Sequence, residues 1–164
     1  MEHLLKKIMW FVVFVLAQAL VLNHIHLFHY ATPLLLVYFI MRFPLGYPRW
    51  GLLLWAFFMG LFTDIFSNTP GVTAGSLTII GLLQPLIVQL FIPKDDYSAS
   101  VPSMAAMGLM TFLKYAFTIV LLYVMLFYLF EAFNLFNFGD WILRVVCSTL
   151  ATVLLIMVFE SFRK

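Results

Sequence analysis

The sequence predicts an all-α integral membrane protein: one domain, residues 1–164, folded as a bundle of six transmembrane helices. Three observations carry this expectation. The 164 residues are 65% hydrophobic, 18% aromatic and only 10% charged, where a soluble domain has about a quarter charged. The apolar residues fall into runs close to the roughly 17–25 residues that cross a bilayer core. Turn residues separate the runs, and the cations collect at alternate breaks.

The expected spans are 7–23, 26–41, 50–66, 70–92, 102–130 and 140–159. In the first, Lys6 and Lys7 precede an apolar run, and Ala17, Gln18 and Ala19 resemble a signal-peptide cleavage site. The run continues through Leu20, Val21 and Leu22, so it reads as a membrane helix. The second span is short and contains Pro33. The third and fourth are separated by Ser67, Asn68 and Thr69, with Thr69 as an expected cap and Pro70 at the first helical position. Pro85 is expected to kink the fourth, because proline removes a backbone donor and crowds the preceding turn. The fifth is long enough to need tilt. The sixth begins at Asp140 and ends near Glu160.

Charge sets the orientation. With an inside N-terminus, the inside segments carry Lys6, Lys7, Arg42, Arg49, Lys94, Arg163 and Lys164, and the outside loops carry no Lys or Arg. Basic residues accumulate on the cytoplasmic side, so both termini are predicted there.

Composition also narrows function. A net charge of +2 without a basic patch in a polar region argues against nucleic acid as a partner. The single cysteine, Cys147, excludes an intramolecular disulfide framework. No cofactor motif is present.

Asp64 is the most informative residue. It lies about 20 Å along the third span, in the outer leaflet. Lys114 lies about 15–18 Å along the fifth, and Arg144 about one turn into the sixth. An unpaired carboxylate in lipid would cost several kcal/mol or take up a proton. Asp64 is therefore expected to face the bundle interior and pair with Arg144, Lys114 or both. That cluster reads first as a clamp between helices and second as a ligand or proton site. Gly71, Ala74, Gly75, Ser76 and Gly81 make a small-residue face on the fourth helix, and Ala56 and Gly60 do so on the third. Small residues let helix backbones approach, so these two helices are expected to pack closely, with a face for another protein's membrane helix as the second reading.

No enzyme is expected. Aspartyl chemistry needs two carboxylates in one site, and only Asp64 is deep in a span. Ser76 is a candidate nucleophile, but all four histidines lie in the N-terminal region. His24, His26 and His29 cluster at the first outer loop without a cysteine or acidic companion, so no metal site is expected there.

Gly60, Leu61, Phe62, Thr63, Asp64, Ile65, Phe66 and Ser67, followed by Thr69, Pro70, Gly71 and Ala74, resemble the signature of the rod shape-determining protein family MreD. That signature is a glycine, apolar residues, an aspartate, a short turn and a small-residue helix. The Leu-Gly often found in its turn is Pro-Gly here. The resemblance implies a multi-pass protein of the bacterial inner membrane, without enzymatic activity or cofactor. It implies a scaffold of the cell-elongation machinery that binds the single-span protein MreC. Its surroundings would be the MreB filament and the glycan polymerase–transpeptidase pair that builds peptidoglycan. The family is similar in fold to the substrate-binding subunits of energy-coupling-factor transporters. An alternative reading follows from that likeness: capture of a small vitamin-like molecule in an outer cavity near Asp64.

Overall fold

A computed structural model describes residues 2–21, 33–44, 46–92, 101–132 and 138–162, and every regular element among them is helical. Helix α1 spans Glu2–Leu16 and runs on through a π-helical turn, Ala17–Val21. Then follow α2 (Leu36–Met41), α3 (Arg49–Ser67), α4 (Val72–Phe91), α5 (Met104–Met107), α6 (Leu109–Glu131) and α7 (Phe138–Phe162). Helices α3, α4, α6 and α7 are each long and apolar enough to cross a membrane. Their outward residues are mostly hydrocarbon, including Leu54, Phe58 and Phe62 on α3 and Leu86 and Leu90 on α4. A water-soluble helix presents a charged face there; these present the surface that lipid solvates. The chain is a multi-pass membrane protein.

The long helices form a sequence of neighbours: α3 packs on α4, α4 on α6, and α6 on α7. Lipid tails are as apolar as leucine, so close packing and polar contacts hold such helices together rather than the exclusion of water. At Gly81 an added Cβ would lie 3.3 Å from the Cβ of Ala56, which shows how near α3 and α4 come. Between α6 and α7, the Tyr128 hydroxyl and the Ser148 hydroxyl share a hydrogen bond of 2.8 Å.

The short α2 lies inside this assembly, with all six of its residues buried. The chain enters it non-helically over Pro33, Leu34 and Leu35. Irregular backbone at membrane depth is tolerated only where protein satisfies its polar groups. Here side chains from four elements do so. Gln18 donates from Nε2 to the Pro33 carbonyl (3.0 Å) and accepts from the Leu35 amide (2.9 Å). Thr152 of α7 accepts from the Leu34 amide (3.0 Å). At the other end, Tyr115 of α6 donates to the Met41 carbonyl (3.3 Å), and Gln84 of α4 donates to the Phe43 carbonyl (3.2 Å). The Leu35 amide and the Met41 carbonyl are orphan groups of the two helix ends; the others belong to the irregular backbone beside them.

Gln18→Leu keeps the volume but leaves the Pro33 carbonyl and the Leu35 amide bare. The expected loss is about 1–3 kcal/mol, read as earlier melting of the purified protein in detergent. A variant that melts with the parent would show that these bonds do not hold α2.

Two expectations change. The second span was expected as a helix over 26–41; its described part is helical only from Leu36, because side chains take the amides of Leu34 and Leu35, and residues 26–32 lie outside the described residues. The fifth was expected as one long helix over 102–130. It breaks at Gly108, whose φ of 79° and ψ of 156° suit only glycine, leaving α5 as a single capped turn. Pro85, the expected kink position, lies inside α4, which is helical on both sides of it.

Candidate functional site

The residues that begin and end helices converge at Asp64. It lies in the last turn of α3 and is only 3% exposed. Its backbone carbonyl accepts from the amides of Asn68 and Thr69, the latter at 3.2 Å. Asn68 takes a left-handed conformation, φ 56°, which asparagine tolerates better than most residues. This closes α3.

The carboxylate of the same residue opens α4. Oδ1 accepts from the Thr73 amide (2.9 Å) and the Thr69 hydroxyl (3.0 Å), and Oδ2 accepts from the Ala74 amide (2.9 Å). Thr73 and Ala74 are the second and third residues of α4, and their amides are those that a capping side chain normally takes. The capping position itself is Gly71, at φ 84°, which has no side chain to offer. Asp64 supplies the cap from the preceding helix. Bonds to an ionised acceptor are stronger than neutral ones, and negative charge is favoured at a helix N-terminus. Thr69 was expected to cap a helix starting at Pro70; instead α4 starts at Val72, and the Thr69 hydroxyl donates to Asp64.

Gly60 makes the arrangement possible. It lies one turn before Asp64, on the same face of α3. A Cβ there would lie 2.5 Å from the Ala74 nitrogen and 2.8 Å from the Thr73 carbonyl carbon. With any larger residue, the α4 backbone could not come close enough to reach the carboxylate. Ala74 therefore packs directly on α3, as the small-residue pattern predicts. Gly75 turns elsewhere: a Cβ on it would meet the ring of Phe130 on α6 at 3.5 Å. Pro70 and Gly71 form the exposed turn between the two helices.

The expected cations do not take part. Lys114 and Arg144 are both exposed, and the Asp64 oxygens bond to α4 amides and to Thr69 instead. The cause is helix order. Asp64 faces α4, whereas Lys114 and Arg144 sit on α6 and α7. The break at Gly108 also moves Lys114 to about 8 Å along its helix, nearer the membrane surface. Long cationic side chains at such depths extend toward the interface.

The Ser76 hydroxyl donates to the Val72 carbonyl at 2.7 Å. His24, His26 and His29 lie outside the described residues. Among the described residues, no three His, Cys, Asp or Glu side chains group together as metal ligands would.

Three further side chains are structurally important, and each stands out in the sequence as a polar residue in or at the end of an apolar run. Gln18 and Gln84 are amides in otherwise apolar runs, and both are buried. Glu160, expected as an end residue of the last span, is also buried; it accepts from the Tyr38 hydroxyl and from the Met104 amide (3.3 Å), tying α7 to α2 and α5.

The fold and the site define a class: an all-helical, multi-pass membrane protein whose two tightest helices share a buried carboxylate joint. No protein-family model matches the chain, no curated protein matches its sequence, and no solved structure matches its fold.

Proposed function

We propose that this protein is a non-enzymatic scaffold of the bacterial cell-elongation machinery, related to MreD, in the inner membrane. In this reading its six membrane segments leave both termini cytoplasmic. It binds an MreC-like single-span protein and helps organise peptidoglycan synthesis near the MreB filament. One observation carries the proposal: the residues that resemble the MreD signature, 60–75, are those that build the Asp64 joint. A motif whose glycine, aspartate and turn each have a mechanical task suits a protein that works by presenting a fixed surface.

The α3 face beside the joint supports the same reading. Phe58, Phe62, Ile65 and Phe66 are all exposed. They offer another membrane helix a firm apolar face. Capture of a vitamin-like molecule at Asp64 has less support, because the carboxylate already accepts three bonds from its own chain.

Co-expression with a single-span MreC-like protein tests the proposal. The two are expected to co-purify in detergent, and Asp64→Ala is expected to reduce the recovered complex. In the same cells, a tag placed after Lys164 is expected to be shielded from outside reagents. A tightly retained small molecule and no complex would overturn the scaffold reading.

A further inference from the structure

The end of the bundle opposite Asp64 holds a second polar feature. A cleft of about 440 Å3 opens between the start of α1 and the end of α2, lined by Lys6, Lys7, Trp10, Phe14, Phe39 and Arg42 among others. Asp64 lies fifteen residues along α3 from Arg49, about 22 Å away, so the two features are separate.

Three cations meet at this cleft, and no carboxylate lines it among the described residues. Two of them, Lys7 and Arg42, are steadied without losing their charge. The Lys7 ammonium lies 3.9 Å from the centre of the Tyr47 ring and 5.1 Å from that of Phe43. The Arg42 guanidinium lies 5.8 Å from the centre of the Tyr38 ring. Such contacts attract a cation but do not neutralise it. The Nε of Arg42 is buried, with no hydrogen-bond partner among the described residues. A buried charged donor left in that state is costly, and an anion within reach would relieve it. The rest of the lining is apolar: Trp10, Phe14, Phe39 and Phe43 with Pro44 and Val101. The mouth borders bilayer-facing surface, since Leu5, Ile8, Met9 and Trp10 of α1 are all exposed.

A charged pocket with an aromatic wall, open toward lipid, fits a ligand that is anionic at one end and apolar at the other. We infer that the cleft binds an anionic phospholipid, its phosphate on Lys6, Lys7 and Arg42 and its upper acyl chain along Trp10 and Phe14. Guanidinium matches phosphate geometry through paired donors, and basic clusters at membrane surfaces select acidic lipids. The inference does not depend on the scaffold reading.

The test uses the full chain, stripped of lipid in neutral detergent. It is titrated with phosphatidylglycerol, phosphatidylcholine or inorganic phosphate, and bound molecules are counted by native mass spectrometry. Each cation is expected to contribute about fivefold, so phosphatidylglycerol should bind roughly a hundredfold more tightly than phosphatidylcholine. Arg42→Gln and Lys6→Gln should each weaken phosphatidylglycerol about fivefold and leave phosphatidylcholine unchanged. Lys6 is exposed, so its variant reports on charge even if the Arg42 variant fails to fold. Arg49→Gln, at the same end but outside the cleft lining, should change nothing. Equal affinity for the two lipids overturns the inference, as does phosphatidylglycerol binding that neither cleft variant moves. Displacement of the lipid by inorganic phosphate at equal concentration also overturns it, making the cleft a site for soluble phosphate.

Discussion

Replacing Asp64 with alanine is expected to be the most damaging single change in the described chain. The amides of Thr73 and Ala74 are both on buried residues and lose their acceptor. Each bare buried donor costs about 1–3 kcal/mol, so the expected loss is about 2–6 kcal/mol for the pair. Water has little access to repair the damage, because Asp64, Thr73 and Ala74 are all buried. Asp64→Asn should fall between alanine and the parent. It keeps one carbonyl oxygen, turns an NH2 group toward an amide that needs an acceptor, and loses the charge that the helix end favours. Unfolding in mixed micelles with increasing dodecyl sulfate, followed by circular dichroism, gives the ranking. Lys114→Ala and Arg144→Ala serve as the contrast and should unfold with the parent. If the alanine variant at 64 matches the parent, or the two cation variants lose as much, the joint described here is not what holds α3 to α4.

The second large effect is expected at Gly60. Alanine there places a Cβ against the backbone of Ala74 and Thr73, which cannot rotate away as a side chain could. Overpacking costs about 1–3 kcal/mol, occasionally more, and Gly60→Val should cost more than Gly60→Ala. The effect should not simply add to that of Asp64→Ala. Moving α4 outward breaks the same amide–carboxylate bonds, and neighbouring changes that share a partner couple. The combined Gly60→Ala, Asp64→Ala variant should therefore lose less than the sum of the two. Strict additivity in the same unfolding titration would count against a shared joint. Gly139→Ala is the control, since a Cβ there meets nothing within 4 Å.

The readable part of the chain was what depends on local runs. Membrane class follows from composition, and the bounds of α3, α4 and α7 follow from apolar length and turn residues. Close approach of α3 and α4 follows from Gly60, Ala56 and Gly81. The partner of Asp64 was not readable in the same way. Depth alone made Lys114 and Arg144 plausible, because depth ignores which helix stands beside which. With α4 lying next to α3, the nearest unsatisfied donors are amides, and every helix N-terminus has them whatever its sequence. The break at Gly108 was hidden for another reason: a glycine in an apolar run reads equally as a packing residue or as a left-handed turn. The role of Gln18 was hidden because its partners are backbone groups fifteen and seventeen residues away, and no pattern announces them.

The way α2 is held has a consequence for the order in which the chain matures. A ribosome delivers Gln18 first, then the irregular stretch at Pro33 to Leu35, and only later Gln84, Tyr115 and Thr152. The amide of Leu34 cannot meet its acceptor until α7 has been made, and the Met41 and Phe43 carbonyls wait for α6 and α4. Six helical residues reach only about 9 Å, too short to settle in a bilayer unaided. The segment that ends at the centre of the protein is thus synthesised early and secured last. Its final position becomes available only to a chain whose last helix has arrived.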